Sequence, residues 1–425
     1  MIMKEVANKW LGILGRQMGF DLPYFVKNGF WISIRQVIVA CSSLAMIATL
    51  SRFVDPEVFG KYQLIVSLVS LVAIFSLPGM STALVQAVAQ GRDGFYSDAF
   101  GRSLRMSLVG SGLIILIGSY YFLTDTKLGI AVLLIALAFP FISAFGLWEA
   151  YFQGRERFDI AARNASILAI IQSLLVCGSA ILFPHQLVIL ILSYAASVGV
   201  TNVFFHRISR LSVRNDETDE PSVRFGYFMT KMGALGILSE QIDKLLVGFL
   251  LGPAQLAVYA VISFFGLRVK DLVRPFSAML VPKIVTEEKN FWDIVKTHKK
   301  TILIGLGATA FMSVIFYMLV TSVNRVIFSA NYFQYSHLSQ WYVMTVFLSV
   351  PLTAMGYYIY ARQNTYAVTL SNTIYHVLRI GLNVVMIWCY GILGAVLAYN
   401  LSMLLLLAIY LWGIYHEERT ISSPQ

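Results

Sequence analysis

Seven basic side chains lie inside stretches of this sequence that are otherwise apolar enough to be buried in lipid. They are Arg35, Lys231, Lys244, Arg268, Lys270, Arg274 and Arg379. A charge at the bilayer centre costs roughly 3 kcal/mol on insertion scales, so such residues line a water-filled interior, pair with an acid or bind an anion. The only acidic partners that we identify in the same stretches are Glu240, Asp243 and Asp271. The sequence therefore predicts a net cationic interior, suited to an anionic substrate.

One predicted helix carries four polar side chains at helical spacing. Asn372, His376, Arg379 and Asn383 follow the pattern i, i+4, i+7, i+11, which places them on one face of an α-helix. Such a stripe either bonds to a neighbouring helix or faces an aqueous cavity. We favour the cavity, because a buried arginine is a costly way to join two helices.

A second helix groups Arg268, Lys270, Asp271 and Arg274 just before Pro275. Arg268 and Asp271 have the spacing of an ion pair, whereas Lys270 and Arg274 repel each other unless an anion joins them. Arginine supplies paired donors and lysine a point charge, which is the chemistry that holds a phosphate. The alternative for Lys270 and Arg274 is that they reach back to the lipid headgroups.

The helix before it and the first helix of the chain add further candidates. Glu240 and Lys244 have the spacing of a mutually neutralising pair, with Asp243 beside them, so Glu240 or Asp243 is a candidate for ion or proton coupling. Lys231 lies near the inner end of its helix, where it either contacts substrate or reaches the headgroups. Arg35 lies about two turns into the first helix, and we expect it to face the interior.

No motif of an enzyme accompanies these residues. A glycine-rich phosphate loop followed by lysine is absent from the sequence, and the acids and histidines of the outer loops are too few for a catalytic pair. Cys41, Cys177 and Cys389 lie far apart in apolar stretches and have no metal-ligand spacing. We therefore expect a transporter without cofactor or metal.

The elements that must position these side chains are membrane-spanning helices. Of 425 residues, 58% are hydrophobic and only 13% are charged, and the mean hydropathy is +0.72. A spanning helix needs roughly 20 mostly apolar residues. Twelve such segments are predicted, and we expect an all-α polytopic protein; they cover about 29–50, 62–80, 102–122, 128–150, 163–183, 186–206, 227–251, 255–281, 300–322, 337–360, 367–389 and 392–414.

The net charge of +10 follows this topology. With both termini in the cytoplasm, 21 of the 32 basic residues fall on the cytoplasmic side, 4 fall outside and 7 lie in the segments. This distribution is the positive-inside pattern of a membrane protein, so we expect no nucleic-acid partner. The mixed apolar and basic stretch 4–19 is predicted to form a helix on the inner membrane surface.

An internal repeat divides the chain into two halves. Pro56-Glu-Val-Phe-Gly-Lys-Tyr62 resembles Pro253-Ala-Gln-Leu-Ala-Val-Tyr259 at an offset of 197 residues, and a weaker match near Tyr151 recurs 207 residues later. We expect an N-terminal lobe at 1–206 with the surface helix and six spanning helices, a cytoplasmic linker at 207–226, and a C-terminal lobe of six helices at 227–425. Parallel repeats of this kind commonly hold a substrate between them.

Three stretches resemble a known family. They are residues 51–64 (SRFVDPEVFGKYQL), 77–79 (LPG) and 241–253 (QIDKLLVGFLLGP). Together they are similar to Wzx-type polysaccharide (O-antigen) flippases of the multidrug/oligosaccharidyl-lipid/polysaccharide (MOP) exporter superfamily. The similarity extends over essentially the whole chain.

The resemblance implies two six-helix lobes in a V that work by alternating access. The substrate it implies is an undecaprenyl-pyrophosphate-linked oligosaccharide, such as an O-antigen repeat unit, flipped from the inner to the outer leaflet of a bacterial cytoplasmic membrane. By the same analogy Arg35, Lys231 and Arg268 are substrate contacts. Membrane lipid, a polysaccharide polymerase and a chain-length regulator are the other partners it suggests.

Three alternatives remain open. A drug exporter of the same superfamily typically exports cations and would want acidic cavity residues, whereas cations outnumber acids here. A peptidoglycan lipid flippase shares the cationic cavity but typically carries fourteen helices. An O-antigen polymerase or ligase would be an enzyme and would need a large outer loop.

Overall fold

The computed structural model describes the backbone over residues 22–278, 290–297, 299–362 and 364–422. It describes side chains over 29–268, 290–297, 299–300, 302–362 and 364–417. The predicted surface helix at 4–19 lies outside these ranges. The side chains of Lys270, Asp271 and Arg274 lie outside them as well.

Within those ranges the chain is built from helices and contains no strand. The helices up to the middle of the chain are α1 Leu22–Phe53, α2 Pro56–Val72, α3 Gly79–Ala89, α4 Phe95–Thr124, α5 Thr126–Ser143, α6 Trp148–Gly154, α7 Phe158–Leu182 and α8 Leu187–Leu211. Those that follow are α9 Glu220–Leu246, α10 Pro253–Ala278, α11 Phe291–Thr297, α12 Lys299–Ile327, α13 Val343–Ala361, α14 Thr365–Thr369 and α15 Tyr375–Ser422. Short 3₁₀ segments lie at Ala73–Ser76, Ala144–Leu147 and Ala330–Tyr342, and π-helical segments at Val247–Leu251 and Leu370–Ile374.

Nine helical stretches in the described part of the chain are long and apolar enough to cross a membrane. Pro253–Arg268 and Gly79–Ala89 are shorter apolar helices. The predicted seventh segment coincides with α9 but is not among the nine, because its charged and polar residues lower its hydropathy. The protein is thus a multi-pass, all-helical membrane protein.

Two breaks divide apolar stretches into separate helices. Leu77 adopts a left-handed conformation (φ 57°) after the 3₁₀ segment, so the chain bends before α3 begins. Gly391 has φ 58° and ψ −133° inside α15, between the predicted eleventh and twelfth segments. A side chain at Gly394 would lie 1.8 Å from the Met386 carbonyl oxygen, which shows that the chain folds back tightly on itself there.

The two copies of the internal repeat begin helices that pack on each other. Pro56 starts α2 and Pro253 starts α10, where the fixed proline φ suits the first helical turn. Tyr62 and Tyr259, one from each copy, are both buried in a single hydrophobic core that contains residues from both halves of the chain. Gly60 lets the backbones of α2 and α10 meet, because a Cβ at this position would lie 1.7 Å from the Pro253 carbonyl oxygen.

The segment between α8 and α9 is bound to the loop that precedes α4. Helices α8 and α9 extend into the predicted linker and leave only residues 212–219 between them. The fully buried Asp93 carboxylate accepts hydrogen bonds from the Tyr151 hydroxyl (3.3 Å) and the Arg214 amide (3.2 Å), and pairs with Arg155 at 3.4 Å. We call this set the Asp93 junction.

A second contact holds the start of α9 to the same loop. Asp219 caps α9 by accepting from the Ser222 amide at 3.1 Å, and it pairs with Arg92 at 3.0 Å. Burial opposes the charge on Asp219, but the hydrogen bonds from Ser222 and the nearby Arg92 guanidinium hold its pKa below the ordinary value. The carboxylate therefore stays ionised at neutral pH and keeps both contacts.

Replacing Asp93 by alanine should open the segment 212–219. The change leaves the Arg155 guanidinium and the Arg214 amide without this acceptor, at a cost of about 2 kcal/mol, while the Tyr151 hydroxyl keeps the Ser212 carbonyl as its acceptor at 2.6 Å. We expect trypsin to cleave after Arg210 or Arg214 about tenfold faster or more in the purified protein. The matched control is Asp159→Ala, which removes a partly exposed pair with Arg157 and should change cleavage little. Equal cleavage of the two variants would show that the Asp93 junction does not hold this segment.

Candidate functional site

A polar cavity of about 290 Å³ lies among the helices of the first half of the chain. We call it the first-half cavity. Its wall contains Arg35, and the Arg35 guanidinium forms an ion pair of 2.7 Å with Glu149 on α6. Arg35 Nε is buried and has no hydrogen-bond partner within the described part of the chain. The guanidinium is thus paired with one acid and has one buried donor unused; the remaining polar side chains of the wall are Ser42, Ser43, Gln172, Ser173 and Asn202.

Glu149 is a partner that the sequence analysis did not identify, and the expectation that Glu240, Asp243 and Asp271 are the only acids in the spans is wrong. It lies at the end of the predicted segment 128–150, where the 3₁₀ segment Ala144–Leu147 passes into α6. The neighbouring Trp148 donates from its indole to Asn202 on α8 at 3.1 Å, which fixes the start of α6. Gln153 donates to the same Glu149 oxygen at 2.9 Å. A carboxyl group at the edge of a predicted span was the signal that could have revealed it.

Arg268 on α10 lies next to the first-half cavity. One of its terminal nitrogens is 3.4 Å from the hydroxyl of Ser43, a residue of the cavity wall. The guanidinium also stands 5.6 Å from the centre of the Phe264 ring, on the wall of an apolar cleft of about 340 Å³ between α1, α10 and α12. Arg268, from the second half of the chain, therefore lies beside the cavity whose wall contains Arg35 from the first half.

A second polar cavity, of about 320 Å³, lies among helices of the second half. We call it the second-half cavity. Asn372, His376 and Arg379 of the predicted polar stripe line it, together with Glu240 from α9. Asn372 lies in the π-helical segment Leu370–Ile374, and such segments are frequent at functional sites. The other polar or aromatic residues of the wall are Thr345, Ser349, Thr353, Tyr357, Tyr360, Ser371, Tyr375 and Tyr410.

The polar groups of this cavity differ in how many of their hydrogen-bonding atoms have a partner. His376 Nδ1 is 2.5 Å from the Ser239 hydroxyl, and the Tyr360 hydroxyl donates to Asn372 Oδ1 at 3.2 Å. Arg379 is only 5% exposed, and its guanidinium lies 5.3 Å from the Tyr399 ring centre. Its Nε is buried without a hydrogen-bond partner among the residues described. The cavity therefore contains a buried cation with unused hydrogen-bonding capacity.

Asn383, the last residue of the predicted stripe, is not among the residues that line the second-half cavity. It is 1% exposed, and its amide donates to the carbonyl of Arg379 at 2.8 Å. The structure thus brings three of the four stripe residues to one cavity and buries the fourth one turn further along α15.

The predicted neutralisation of Glu240 by Lys244 is not seen where side chains are described. Lys244 Nζ instead bonds to Gln241 at 3.3 Å, and no ion pair of Glu240 is found there. Asp243 is 2% exposed and accepts from the Tyr259 hydroxyl at 2.7 Å and from the Lys244 amide at 2.8 Å. The spacing i, i+4 allowed the pair, but the side chains of α9 point to different neighbours.

Lys231 lies on the exposed surface of α9 and lines none of these cavities. No group of three His, Cys, Asp or Glu residues with a metal-site arrangement occurs within the described ranges. The chemistry that the site offers is therefore hydrogen bonding and charge pairing with a bound molecule.

Comparison with known proteins gives three findings. A family model described as "Polysaccharide biosynthesis protein" matches residues 25–286. A curated protein of Shigella flexneri, described as "Putative O-antigen transporter", is 22% identical over 307 residues, which are 66% of this chain and 71% of that protein. The third finding concerns the fold.

Solved structures of the MOP superfamily share this fold. An inward closed conformation of the lipid II flippase MurJ superposes with a TM-score of 0.67 at 16% identity, covering 90% of this chain and 87% of that one. An inward-facing multidrug resistance MATE family transporter superposes with a TM-score of 0.65 at 13% identity, covering 92% of this chain and 100% of the other. At these identities the likeness concerns the fold alone.

Proposed function

The chain belongs to the polysaccharide biosynthesis protein family, and on that premise we propose that it is a flippase for a lipid-linked oligosaccharide. The substrate is an oligosaccharide, such as an O-antigen repeat unit, joined through pyrophosphate to undecaprenol. It moves from the inner to the outer leaflet of the bacterial cytoplasmic membrane. The similarity to the Shigella protein and the shared fold with the lipid II flippase support this function.

The observation that carries the proposal is that two guanidinium groups from opposite halves of the chain lie at one cavity, Arg35 in its wall and Arg268 beside it. Arg35 keeps an unused Nε donor in the first-half cavity, and Arg268 approaches Ser43 from the other half of the chain. Arginine binds phosphate oxygens through paired, charge-assisted hydrogen bonds. A pyrophosphate bound between the halves would accept hydrogen bonds from both guanidinium groups at once.

The proposed architecture has twelve spanning helices in two lobes, at 1–206 and 227–425, joined at 207–226, with both termini in the cytoplasm. The repeat that starts α2 and α10 supports the two-lobe division. Transport then proceeds by rocking of one lobe against the other around a central site, as is common for transporters with internal repeats. No bond of the substrate is made or broken, so the protein acts as a transporter rather than an enzyme.

The membrane potential favours the proposed direction. Moving one negative charge out of a negative cytoplasm gains about 2.3 kcal/mol per 100 mV. A pyrophosphate carries more than one negative charge, so its outward movement gains more than this. The membrane potential also favours the return of the empty carrier, because its cationic site is drawn toward the negative cytoplasm. Coupling to a proton or another ion at Glu240 or Asp243 would add to this driving force; the burial of Asp243 supports such a role.

The remaining candidate residues have places in the same proposal. Lys231, Lys270 and Arg274 contact the substrate phosphates or the inner-leaflet headgroups, and Asn372, His376, Arg379 and Asn383 contact the substrate from the second half. A polysaccharide polymerase and a chain-length regulator are proposed protein partners. The alternatives are a small-molecule exporter and a flippase for another lipid intermediate. A transport assay in proteoliposomes distinguishes them by which substrate crosses the bilayer.

Substitution Arg268→Gln should reduce flipping about tenfold or more, because a hydrogen bond to a charged group contributes about 1.5–3 kcal/mol. The measurement follows a fluorescent polyprenyl-pyrophosphate oligosaccharide across the bilayer of proteoliposomes. The control Arg325→Gln removes an exposed arginine of α12 and should leave the rate unchanged. If the wild-type protein exported an organic cation and moved no lipid-linked sugar, the flippase proposal would be wrong and the protein would be a drug exporter.

A further inference from the structure

The internal repeat relates the two polar cavities to each other. At the offset of 197 residues Ser43 in the first-half cavity corresponds to Glu240 in the second-half cavity. At the offset of 207 residues Gln172 in the first-half cavity corresponds to Arg379 in the second-half cavity. Ala165, Leu168 and Ala169 correspond in the same way to Asn372, Tyr375 and His376. Both halves therefore form a cavity at the same place, and the second half lines it with larger and more polar side chains.

Each cavity contains one arginine and one glutamate, but at positions that the repeat does not relate. In the first-half cavity Arg35 and Glu149 satisfy each other at 2.7 Å. Their counterparts by the repeat, Met232 and Gly356, are uncharged, and Gly356 lines the second cavity next to the Tyr410 side chain. Glu240 and Arg379 line that cavity without an ion pair within 4.0 Å in the part of the chain that carries described side chains.

The second-half cavity is thus lined by a strong acceptor, Glu240, and a strong donor, Arg379, that form no ion pair with each other. A ligand that is only cationic would be attracted by Glu240 but repelled by Arg379. A ligand that is only anionic would be attracted by Arg379 but repelled by Glu240. Hydroxyl groups satisfy both, because each can donate to a carboxylate and accept from a guanidinium. The hydroxyl, amide and imidazole groups of Thr353, Asn372 and His376 extend this polar lining.

We propose that the second-half cavity is a sugar-binding subsite. It takes one sugar ring of the lipid-linked oligosaccharide while Arg35 and Arg268 hold the pyrophosphate. The tyrosines of the wall supply flat apolar surfaces for the ring, and Glu240, Asn372 and Arg379 exchange hydrogen bonds with its hydroxyls. A cavity of about 320 Å³ lies within the range of sites for small ligands, roughly 300–1,000 Å³. This inference rests on the proposed function and assigns the sugar part of its substrate.

The test compares two probes that differ only in the sugar. The first is the lipid-linked oligosaccharide purified from a strain of the source bacterium that lacks this protein, and the second is undecaprenyl pyrophosphate. Affinities are measured for the protein in lipid nanodiscs. Wild type should bind the sugar-bearing lipid about tenfold more tightly, since several hydrogen bonds are added. The ratio of the two dissociation constants measures the contribution of the sugar to binding.

Variants then locate the sugar contacts. Asn372→Leu and Glu240→Gln should bring the ratio close to one while leaving the affinity for undecaprenyl pyrophosphate within about twofold of wild type. Glu240 is exposed, and its substitution by the isosteric amide spares the fold even if Asn372→Leu does not. The controls Asn331→Leu and Glu220→Gln make the same changes at exposed positions of the second half and should keep the wild-type ratio. Arg35→Gln should weaken both probes alike and keep the ratio.

Several results would overturn the inference. Equal wild-type affinity for the two probes would show that no sugar is bound, with the proposed function intact. A wild-type ratio that survives Asn372→Leu and Glu240→Gln would place the sugar elsewhere. If Glu240→Gln instead abolished a Na⁺-dependent tightening of both probes, the cavity would be a cation site. Failure of wild type to bind either probe would overturn the proposed function itself.

Discussion

Replacing Arg35 by glutamine should reduce the flipping of a polyprenyl-pyrophosphate oligosaccharide by about tenfold to a hundredfold in proteoliposomes. The guanidinium has an unused buried Nε donor in the first-half cavity. Each hydrogen bond from a charged donor to a phosphate contributes about 1.5–3 kcal/mol, and 1.4 kcal/mol corresponds to a factor of ten. The substitution also leaves the Glu149 carboxylate without its ion-pair partner, so its uncompensated negative charge would repel a bound anion.

A second substitution separates two causes of the Arg35→Gln effect, the lost contact with phosphate and the unpaired Glu149 carboxylate. Glu149→Gln keeps the shape of the side chain but removes the anion that competes with the substrate for the Arg35 guanidinium. We therefore expect Glu149→Gln to bind undecaprenyl pyrophosphate at least as tightly as wild type. The double variant should bind more tightly than Arg35→Gln alone, because it no longer holds an unpaired carboxylate.

The matched control is Arg157→Gln, which removes a mostly exposed arginine that pairs with Asp159 in the same half of the chain. It should flip at the wild-type rate. Full activity of well-folded Arg35→Gln would show that the Arg35–Glu149 pair is structural and that the pyrophosphate is bound elsewhere. Loss of activity in Arg157→Gln as well would point to a general effect of lost positive charge.

Replacing Gly60 by alanine should strongly reduce both the amount of folded protein and its transport activity. The added methyl group would lie 1.7 Å from the Pro253 carbonyl oxygen, far inside van der Waals contact. The neighbour is backbone at the start of α10, so no side chain can turn away, and α2 and α10 must separate. Overpacking of a well-packed interior costs about 1–3 kcal/mol and occasionally more. The separation would also disturb a core that both halves of the chain share.

The matched control is Gly112→Ala in α4, where an added Cβ would meet nothing within 4 Å. Alanine stabilises a helix by roughly 0.5–1 kcal/mol relative to glycine, so this control should be neutral or slightly more stable. Thermal unfolding of the purified variants and their flipping rates provide the measurement. Equal behaviour of the two variants would show that α2 and α10 do not approach so closely in the membrane.

The all-helical membrane fold could be predicted from the sequence because hydropathy is a local property. Long apolar stretches need a lipid environment, and in lipid the backbone must satisfy its own hydrogen bonds within helices. The stretch carrying Asn372, His376 and Arg379 could be recognised for the same reason, since spacing along one helix decides which residues share a face. The family, too, is evident in short stretches such as residues 51–64.

Contacts between distant helices could not be predicted in the same way. Arg35 and Glu149 meet because α1, α6 and α7 pack together and because the Trp148–Asn202 bond fixes the start of α6. Glu240 and Lys244 have the right spacing for an ion pair, yet Lys244 turns to Gln241. Spacing makes a pair possible, whereas the rotation of each helix and its neighbours decides whether the pair forms.

Apolar length and charge placement can be read along a single chain, so they were enough to predict a multi-pass helical protein with cationic side chains inside its spans. Which of those charges are satisfied depends on how the helices pack. This packing pairs Arg35 with Glu149 in one cavity and leaves Glu240 and Arg379 facing an open cavity at the equivalent place in the other half. The physical reason is that charge pairing acts over a few ångströms, and only helix packing brings residues from distant parts of the chain within that range.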